Sequence, residues 1–157
     1  AGHLVFLGDF LHARSGAGAP LWNQLLPWRE RHARIRMTLV RGNHDLHAGD
    51  PPAPLGVDVA DEPWRPVEGA GVLACHHPQA GPGDTVLAGH WHPVATLQGP
   101  AQDTVRLPCF AWQPGLLVLP AFGAFTGMSS QPVPPSARRF AVAGDRVREV
   151  PRRPASA

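Results

Sequence analysis

Four short stretches of the sequence contain side chains that could bind a divalent metal ion. Each stretch follows a short apolar run and carries carboxylate, amide or imidazole groups. They are Gly8-Asp9-Phe10-Leu11-His12, Arg41-Gly42-Asn43-His44-Asp45, His76-His77-Pro78 and Gly89-His90-Trp91-His92. A mixed set of oxygen and nitrogen ligands suits manganese, iron or zinc better than magnesium or calcium. The residue types therefore predict a site for one of these three metals.

A pair of divalent ions about 3.5 to 4 Å apart needs a bridging anionic oxygen. The Asp9 carboxylate could supply that oxygen, although an aspartate after a strand could also be a turn residue. Asn43 offers a neutral amide oxygen, or could cap a turn through the same side chain. His90 and His92 are two residues apart, so in extended backbone both rings point to one side. Of the two histidines in the third stretch, either could add a nitrogen ligand.

The apolar runs before these stretches predict short buried strands that end at glycine or at polar residues. The predicted strands are His3–Leu7, Arg36–Val40, Gly71–Cys75 and Thr85–Ala88. Between the first two strands, a helix over about Leu21–Ala33 is predicted from its apolar spacing, with Pro27 kinking or shortening it. Ligands of open α/β sheets bind beyond the carboxyl ends of the strands. We therefore expect the four stretches to meet at one edge of a sheet.

After Val94 the sequence changes to strands and turns, which predict a second, mostly antiparallel sheet. The predicted strands are Val94–Leu97, Thr104–Leu107, Leu116–Leu119, Phe140–Ala143 and Arg146–Val150, the last two forming a hairpin around Gly144-Asp145. The proline-rich segment Asp50–Pro66 is predicted to be a long loop. Residues Pro151–Ala157 are predicted to be a disordered tail.

The composition is that of a folded protein without a membrane span. The chain has 157 residues, of which 43% are hydrophobic and 17% charged, and this is typical of one domain with an apolar core. No apolar run approaches the ~20 residues of a membrane helix. The 14 arginines and the pI near 9.0 are weak evidence for nucleic-acid binding, and the net charge of +2 is unremarkable. Cys75 and Cys109 are far apart in sequence, and we expect reduced core thiols in a cytoplasmic protein.

The blocks Gly-Asp-x-x-His, Gly-Asn-His-Asp and Gly-His-x-His, which begin at Gly8, Gly42 and Gly89, resemble the calcineurin-like metallophosphoesterase superfamily. The stretch from Pro120 to Gly127 makes the chain most similar to the bacterial ligase-associated DNA damage response endonucleases of the PdeM type. The resemblance implies an α/β fold over residues 1–150, in which two packed mixed β-sheets form a sandwich flanked by helices. The superfamily's opening Asp-x-His block is not found ahead of His3. The resemblance therefore implies a chain truncated at its N-terminus, without its first strand and first metal motif.

The resemblance also implies five metal ligands, namely Asp9, Asn43, His76, His90 and His92. The carboxylate of Asp9 would bridge two ions. Asn43, His76 and His90 would complete one site, and His92 would belong to the other. Without the opening block, one well-formed site and one weak site are expected. Activity would then be low or absent.

Four further residues are candidates for contact with the substrate. The resemblance places His44 against the substrate, and we expect it to donate a proton to the leaving oxygen while Asp45 holds its imidazole. Arg41 and His12 could contact the phosphate, or could be plain surface residues.

These residues predict hydrolysis of a phosphodiester by a metal-activated hydroxide. The full family pattern holds two divalent ions, with manganese favoured and iron or zinc also suitable. DNA as the substrate, a role in the DNA damage response, and association with a DNA ligase and a helicase are implied by the resemblance alone. A phosphodiesterase or phosphatase acting on a nucleotide or another small phosphoester would use the same ligands. The missing first motif leaves a catalytically impaired metal-binding module as a third interpretation.

Overall fold

The computed structural model describes residues 2–16, 18–81, 83–99, 103–123, 126–127 and 133–151. The chain divides into two compact units, residues Ala1–His77 and Pro78–Ala157. The predicted tail is Pro151–Ala157, and all of it except Pro151 lies outside the described residues. The described residues contain two α-helices and two β-sheets. The predicted mixed α/β fold class is confirmed.

The first unit is built around a three-stranded parallel sheet. Its strands are β1 (His3–Leu7), β2 (Arg36–Val40) and β3 (Val57–Ala60), paired in that order. The central strand β2 is buried from Met37 to Val40, as expected of a parallel strand covered on both faces. Helix α1 (Ala19–Arg31) connects β1 to β2 and has a proline in its first turn, where the missing N–H costs nothing.

Two elements of the first unit were not predicted. Strand β3 lies within the segment that was predicted to be a long loop, so that prediction is wrong for Val57–Ala60. A short helix, α2 (Asn43–Ala48), starts directly after the turn that follows β2.

Strand β4 (Val72–Cys75) ends the unit, and its Ala74 exchanges two backbone hydrogen bonds with Trp64.

The second unit is a mixed sheet made of six strands. They are β5 (Thr85–Ala88), β6 (Val94–Gln98), β7 (Thr104–Gln113), β8 (Leu116–Val118), β9 (Arg138–Ala143) and β10 (Arg146–Val150). The hydrogen-bonded order is β10-β9-β7-β8-β5, and β6 pairs with β7. All of these pairs are antiparallel except β5 with β8, which is parallel. The predicted second sheet is therefore confirmed, with one parallel pair.

Strand β7 is longer than predicted because its two halves pair with different strands. Its first half pairs with β6, and its second half pairs with β9 and β8. The small buried side chains Ala95, Cys109 and Ala141 form the core beside this strand.

The two cysteines are both buried free thiols, as predicted. No helix among the described residues is long and apolar enough to cross a membrane.

Candidate metal centre

The turn after β1 brings Asp9 close to β4. Both Gly8 and Asp9 have positive φ, at 83° and 54°, so the chain turns sharply as the strand ends. A Cβ atom on Gly8 would overlap the His76 ring and lie 2.8 Å from the Cα of Gly42. Glycine at position 8 is therefore required for the three loops of this unit to approach one another.

The Asp9 carboxylate lies at the point where these loops meet. Its Oδ1 accepts a hydrogen bond from the backbone N–H of His44 at 3.0 Å. The same oxygen is 3.6 Å from Nε2 of His76. The side chain of Asp9 is 20% exposed, so the carboxylate is partly shielded while remaining open on one side.

Asn43 begins helix α2 and presents its amide to the same point. Its Oδ1 lies 2.9 Å from Nε2 of His76. The preceding Gly42 is the N-cap of the helix, and its Cα packs directly against Asp9 and His76. The tight Gly42 turn therefore delivers Asn43 to the carboxyl end of β2.

His76, directly after β4, is almost fully buried with 1% exposure. Its Nδ1 is 2.9 Å from the backbone oxygen of Leu7, and because a carbonyl can only accept, Nδ1 carries the proton. In the neutral ring Nε2 is then the nitrogen that carries the lone pair. This lone pair faces the Oδ1 atoms of Asn43 and Asp9.

The Asp9 carboxylate, the Asn43 amide and the His76 imidazole thus point polar atoms at one another. Carboxylate, amide and imidazole donors together suit manganese, iron or zinc. A backbone carbonyl that holds the far nitrogen of a histidine is a common feature of metal-binding histidines. The donor set of Asp9, Asn43 and His76 therefore fits a divalent metal ion.

His77 has a different environment from His76. Its Nδ1 contacts the Glu62 carboxylate, and its side chain is 38% exposed. Glu62 also accepts the backbone N–H groups of His76 at 2.7 Å and His77 at 2.8 Å. Burial raises the pKa of Glu62, but these hydrogen bonds outweigh burial and the net pKa lies below its ordinary value. Glu62 follows β3 within the predicted loop, and no sequence pattern indicated it.

The sequence suggested that Asp45 holds the imidazole of His44, but the structure shows both carboxylate oxygens of Asp45 bonded elsewhere. Its Oδ1 accepts the backbone N–H of Leu11 and its Oδ2 accepts that of Gly42, both at 2.9 Å. The residue is 1% exposed. Both carboxylate oxygens are therefore used by backbone amides of the two ligand loops.

His44 instead packs against His12. The two rings are stacked, with centroids 4.4 Å apart and planes inclined by 28°. Nδ1 of His44 lies 3.2 Å from the backbone oxygen of His12. The two sequence-predicted substrate residues are thus brought together at the Asp9 loop.

Arg41, a predicted phosphate contact, is paired with two carboxylates. Its guanidinium forms a bidentate pair with Asp50, at 2.9 and 2.8 Å, and a third bond to Asp61 at 2.7 Å. These hydrogen bonds raise the pKa of Arg41 above its ordinary value and hold that of Asp50 below its own. With two carboxylates already bound, the guanidinium ties α2 to the loop after β3.

His90 and His92 lie in the second unit, in the turn after β5. The prediction of extended backbone is wrong here, because their φ angles are +64° and +45°. Nδ1 of His92 is 2.9 Å from the backbone oxygen of Thr126, which leaves its Nε2 as the lone-pair nitrogen in the neutral ring.

The non-glycine residues with positive φ share one property. Within the described parts of the chain they are Asp9, His90 and His92, and all three are predicted metal ligands. A left-handed backbone at such residues costs about 1 to 3 kcal/mol and is concentrated at functional sites.

The crystal structure of the Pseudomonas putida nuclease MPE is similar to this chain. The match has a TM-score of 0.81 and 41% sequence identity, and it covers 96% of this chain and 70% of that one. No protein-family model and no curated protein sequence matches the chain. The identity and coverage show that the chain belongs to the family of the Pseudomonas putida nuclease MPE.

Proposed function

We propose that this protein is a metal-dependent phosphodiesterase that cleaves DNA. The observation that carries the proposal is the convergence of Asp9 Oδ1, Asn43 Oδ1 and His76 Nε2, a set of oxygen and nitrogen ligands of the kind that binds a divalent metal ion. A buried His76 held by the Leu7 carbonyl cannot turn its lone pair elsewhere without losing that bond. A divalent cation at this point would be within reach of all three side chains.

By the motif resemblance, His90 and His92 are also proposed as metal ligands. Two divalent ions belong to the full pattern, with one well-formed site expected in this chain, and manganese is favoured over iron or zinc on the donor types. When bound, such ions supply Lewis-acid activation of water and neutralise phosphate charge. The strained backbone at both histidines supports a functional role.

In the proposed reaction, Asp9 supplies the negative charge of the centre while Asn43 and His76 supply neutral donors. His44, whose backbone N–H holds Asp9, donates a proton to the leaving oxygen. The ring of His12 stacks on that of His44 and restricts its orientation. A general acid in such a position contributes typically 10²- to 10⁴-fold to the rate.

DNA as the substrate rests on the similarity to a nuclease. Membership of the PdeM type within the metallophosphoesterase superfamily, a DNA damage response role, and association with a ligase and a helicase in the cytoplasm are finer proposals. They rest on the motif resemblance described above.

Metal binding is the first test. Isothermal titration calorimetry with Mn²⁺ should give one tight ion per chain, and Asp9→Asn, Asn43→Ala and His76→Ala should each weaken it by at least about 10-fold. Asp58→Asn is the matched control, because Asp58 is exposed and pairs with Arg36. Two tightly bound ions per chain would contradict the one-site expectation, and absence of any binding would overturn the proposal.

Cleavage of supercoiled plasmid DNA is the second test, run beside a chromogenic small phosphodiester with added Mn²⁺. The proposal expects slow formation of nicked or linear plasmid, and no such products from His44→Ala. Hydrolysis of the small ester alone would favour the small-phosphoester enzyme. Tight metal binding without either activity would identify a catalytically impaired module.

A further inference from the structure

Two carboxylates next to the proposed metal centre accept hydrogen bonds from the backbone of every ligand loop in the first unit. They are Asp45, on α2, and Glu62, after β3. We propose that Asp45 and Glu62 are positioning residues that set the geometry of Asp9, Asn43 and His76. This inference rests on the proposed function.

Asp45 links the first two loops. One oxygen accepts the N–H of Leu11, two residues after Asp9, and the other accepts the N–H of Gly42, one residue before Asn43. At 1% exposure the carboxylate has little access to water, so these two charge-assisted bonds are strong and their loss is costly. The two ligands therefore keep their separation through a single side chain.

Glu62 holds the third loop. Its Oε2 accepts the consecutive N–H groups of His76 and His77, and its other oxygen contacts the His77 ring. A carboxylate that accepts two adjacent amides fixes the backbone from which the His76 ring projects. Together with the Leu7 carbonyl on Nδ1, this leaves the ring little freedom to rotate or shift.

The bonding pattern distinguishes a charged acceptor from any isosteric polar group. Asparagine at position 45 keeps the volume but places an NH₂ donor against a backbone N–H, whereas glutamine at position 62 can keep its oxygen on both amides but loses the negative charge that strengthens the two bonds. The affected loop must move to separate the two donors. Metal ligands must be held within about 0.5 Å of their productive positions, so we expect a loss of metal affinity without loss of the fold.

Asp45→Asn and Glu62→Gln test the proposal on the full chain, with Asp58→Asn and Glu68→Gln as controls, because Asp58 is 61% and Glu68 92% exposed. Calorimetric titration with Mn²⁺ should show each variant about 10- to 100-fold weaker than wild type, and the controls unchanged. The visible spectrum of bound Co²⁺ should shift, since it reports coordination geometry. Circular dichroism of the metal-free proteins should be the same.

A double substitution separates positioning from general destabilisation. If Asp45 acts through Asp9, then Asp45→Asn should cost little further Mn²⁺ affinity in an Asp9→Asn background. Equal losses in both backgrounds would overturn the proposal. Should Asp45→Asn fail to fold, Asp45→Ser provides the same test, because its hydroxyl keeps one acceptor and adds no bulk.

The result for the wild-type chain separates this inference from the proposed function. If wild type binds Mn²⁺ and Co²⁺ while Asp45→Asn and Glu62→Gln bind equally well, the positioning roles are wrong and the metal centre stands. If wild type binds neither ion, the metal centre itself is wrong and the positioning roles are overturned with it.

Discussion

Replacing Gly42 by alanine tests how closely the Asp9 and His76 loops approach each other. The φ of Gly42 is −98°, a value that alanine adopts without strain. The substitution therefore adds one methyl group and leaves the backbone conformation accessible. Any effect must come from what the methyl group meets.

The structure gives the size of that effect. The new Cβ would lie 2.6 Å from the backbone nitrogen of Asp9 and 2.9 Å from Cε1 of His76, and it would overlap the Asp9 carboxylate. Ordinary contacts begin near 3.4 Å, so the Asp9 loop must move by roughly 0.8 Å or the α2 turn must retreat equally. That displacement exceeds the ~0.5 Å tolerance of a metal site. We expect Mn²⁺ affinity to fall by at least about 10-fold and stability by about 1 to 3 kcal/mol from overpacking.

The assay is titration calorimetry with Mn²⁺, combined with urea unfolding of the metal-free protein. Gly16→Ala is the control, because a Cβ there meets nothing within 4 Å. A Gly42→Ala protein that binds Mn²⁺ with wild-type affinity would show that Asp9 and His76 do not converge beside Gly42. The ligand assignment would then have to be abandoned.

Three further predictions concern stability and reactivity. The Arg41 hydrogen bond lowers the pKa of Asp50, so its stabilisation is present above the ordinary carboxyl pKa and lost as the pH falls through the lowered value. Asp50→Asn should therefore lower the free energy of unfolding by a measurable amount of less than about 1 kcal/mol at pH 7, because the ion pair is partly exposed, and should not change it in strong acid. A variant whose urea midpoint differs from that of wild type by the same amount at both pH values would contradict this. Leu39→Ala, at a fully buried position of β2, should cost about 2 to 5 kcal/mol, whereas Leu4→Ala, 36% exposed, should cost clearly less in the same unfolding assay. Burial raises the pKa of the Cys109 thiol to about 11, so Cys109 should resist a thiol reagent at pH 8 until the protein is unfolded; rapid labelling of native protein would show that β7 opens.

The strands were predictable because they are continuous apolar runs that end at glycine or polar residues. β1, β2, β5 and β10 have the predicted bounds. β3 was missed because Val57–Ala60 is short, contains Asp58 and lies among prolines, so its pairing with β2 decides its conformation rather than its own pattern. Helix α2 was missed because six residues give too little periodicity to detect.

The site was predictable in residue type and less so in bonding. The sequence indicated Asp9, Asn43 and His76 as ligands, and the structure brings their polar atoms together. It could not show that Asp45 bonds two backbone amides, since adjacency in sequence suggested a contact with His44. Partners of a buried carboxylate are fixed by tertiary packing, which one sequence does not reveal.

The left-handed backbone at Asp9, His90 and His92 has a consequence for evolution and for engineering. Glycine would relieve about 1 kcal/mol or more at each position, so a selection for thermal resistance alone should discard these side chains first. Variants recovered in that way would melt higher and bind Mn²⁺ more weakly. On the proposed function, thermal stability and metal binding should therefore change in opposite directions when these three positions are substituted.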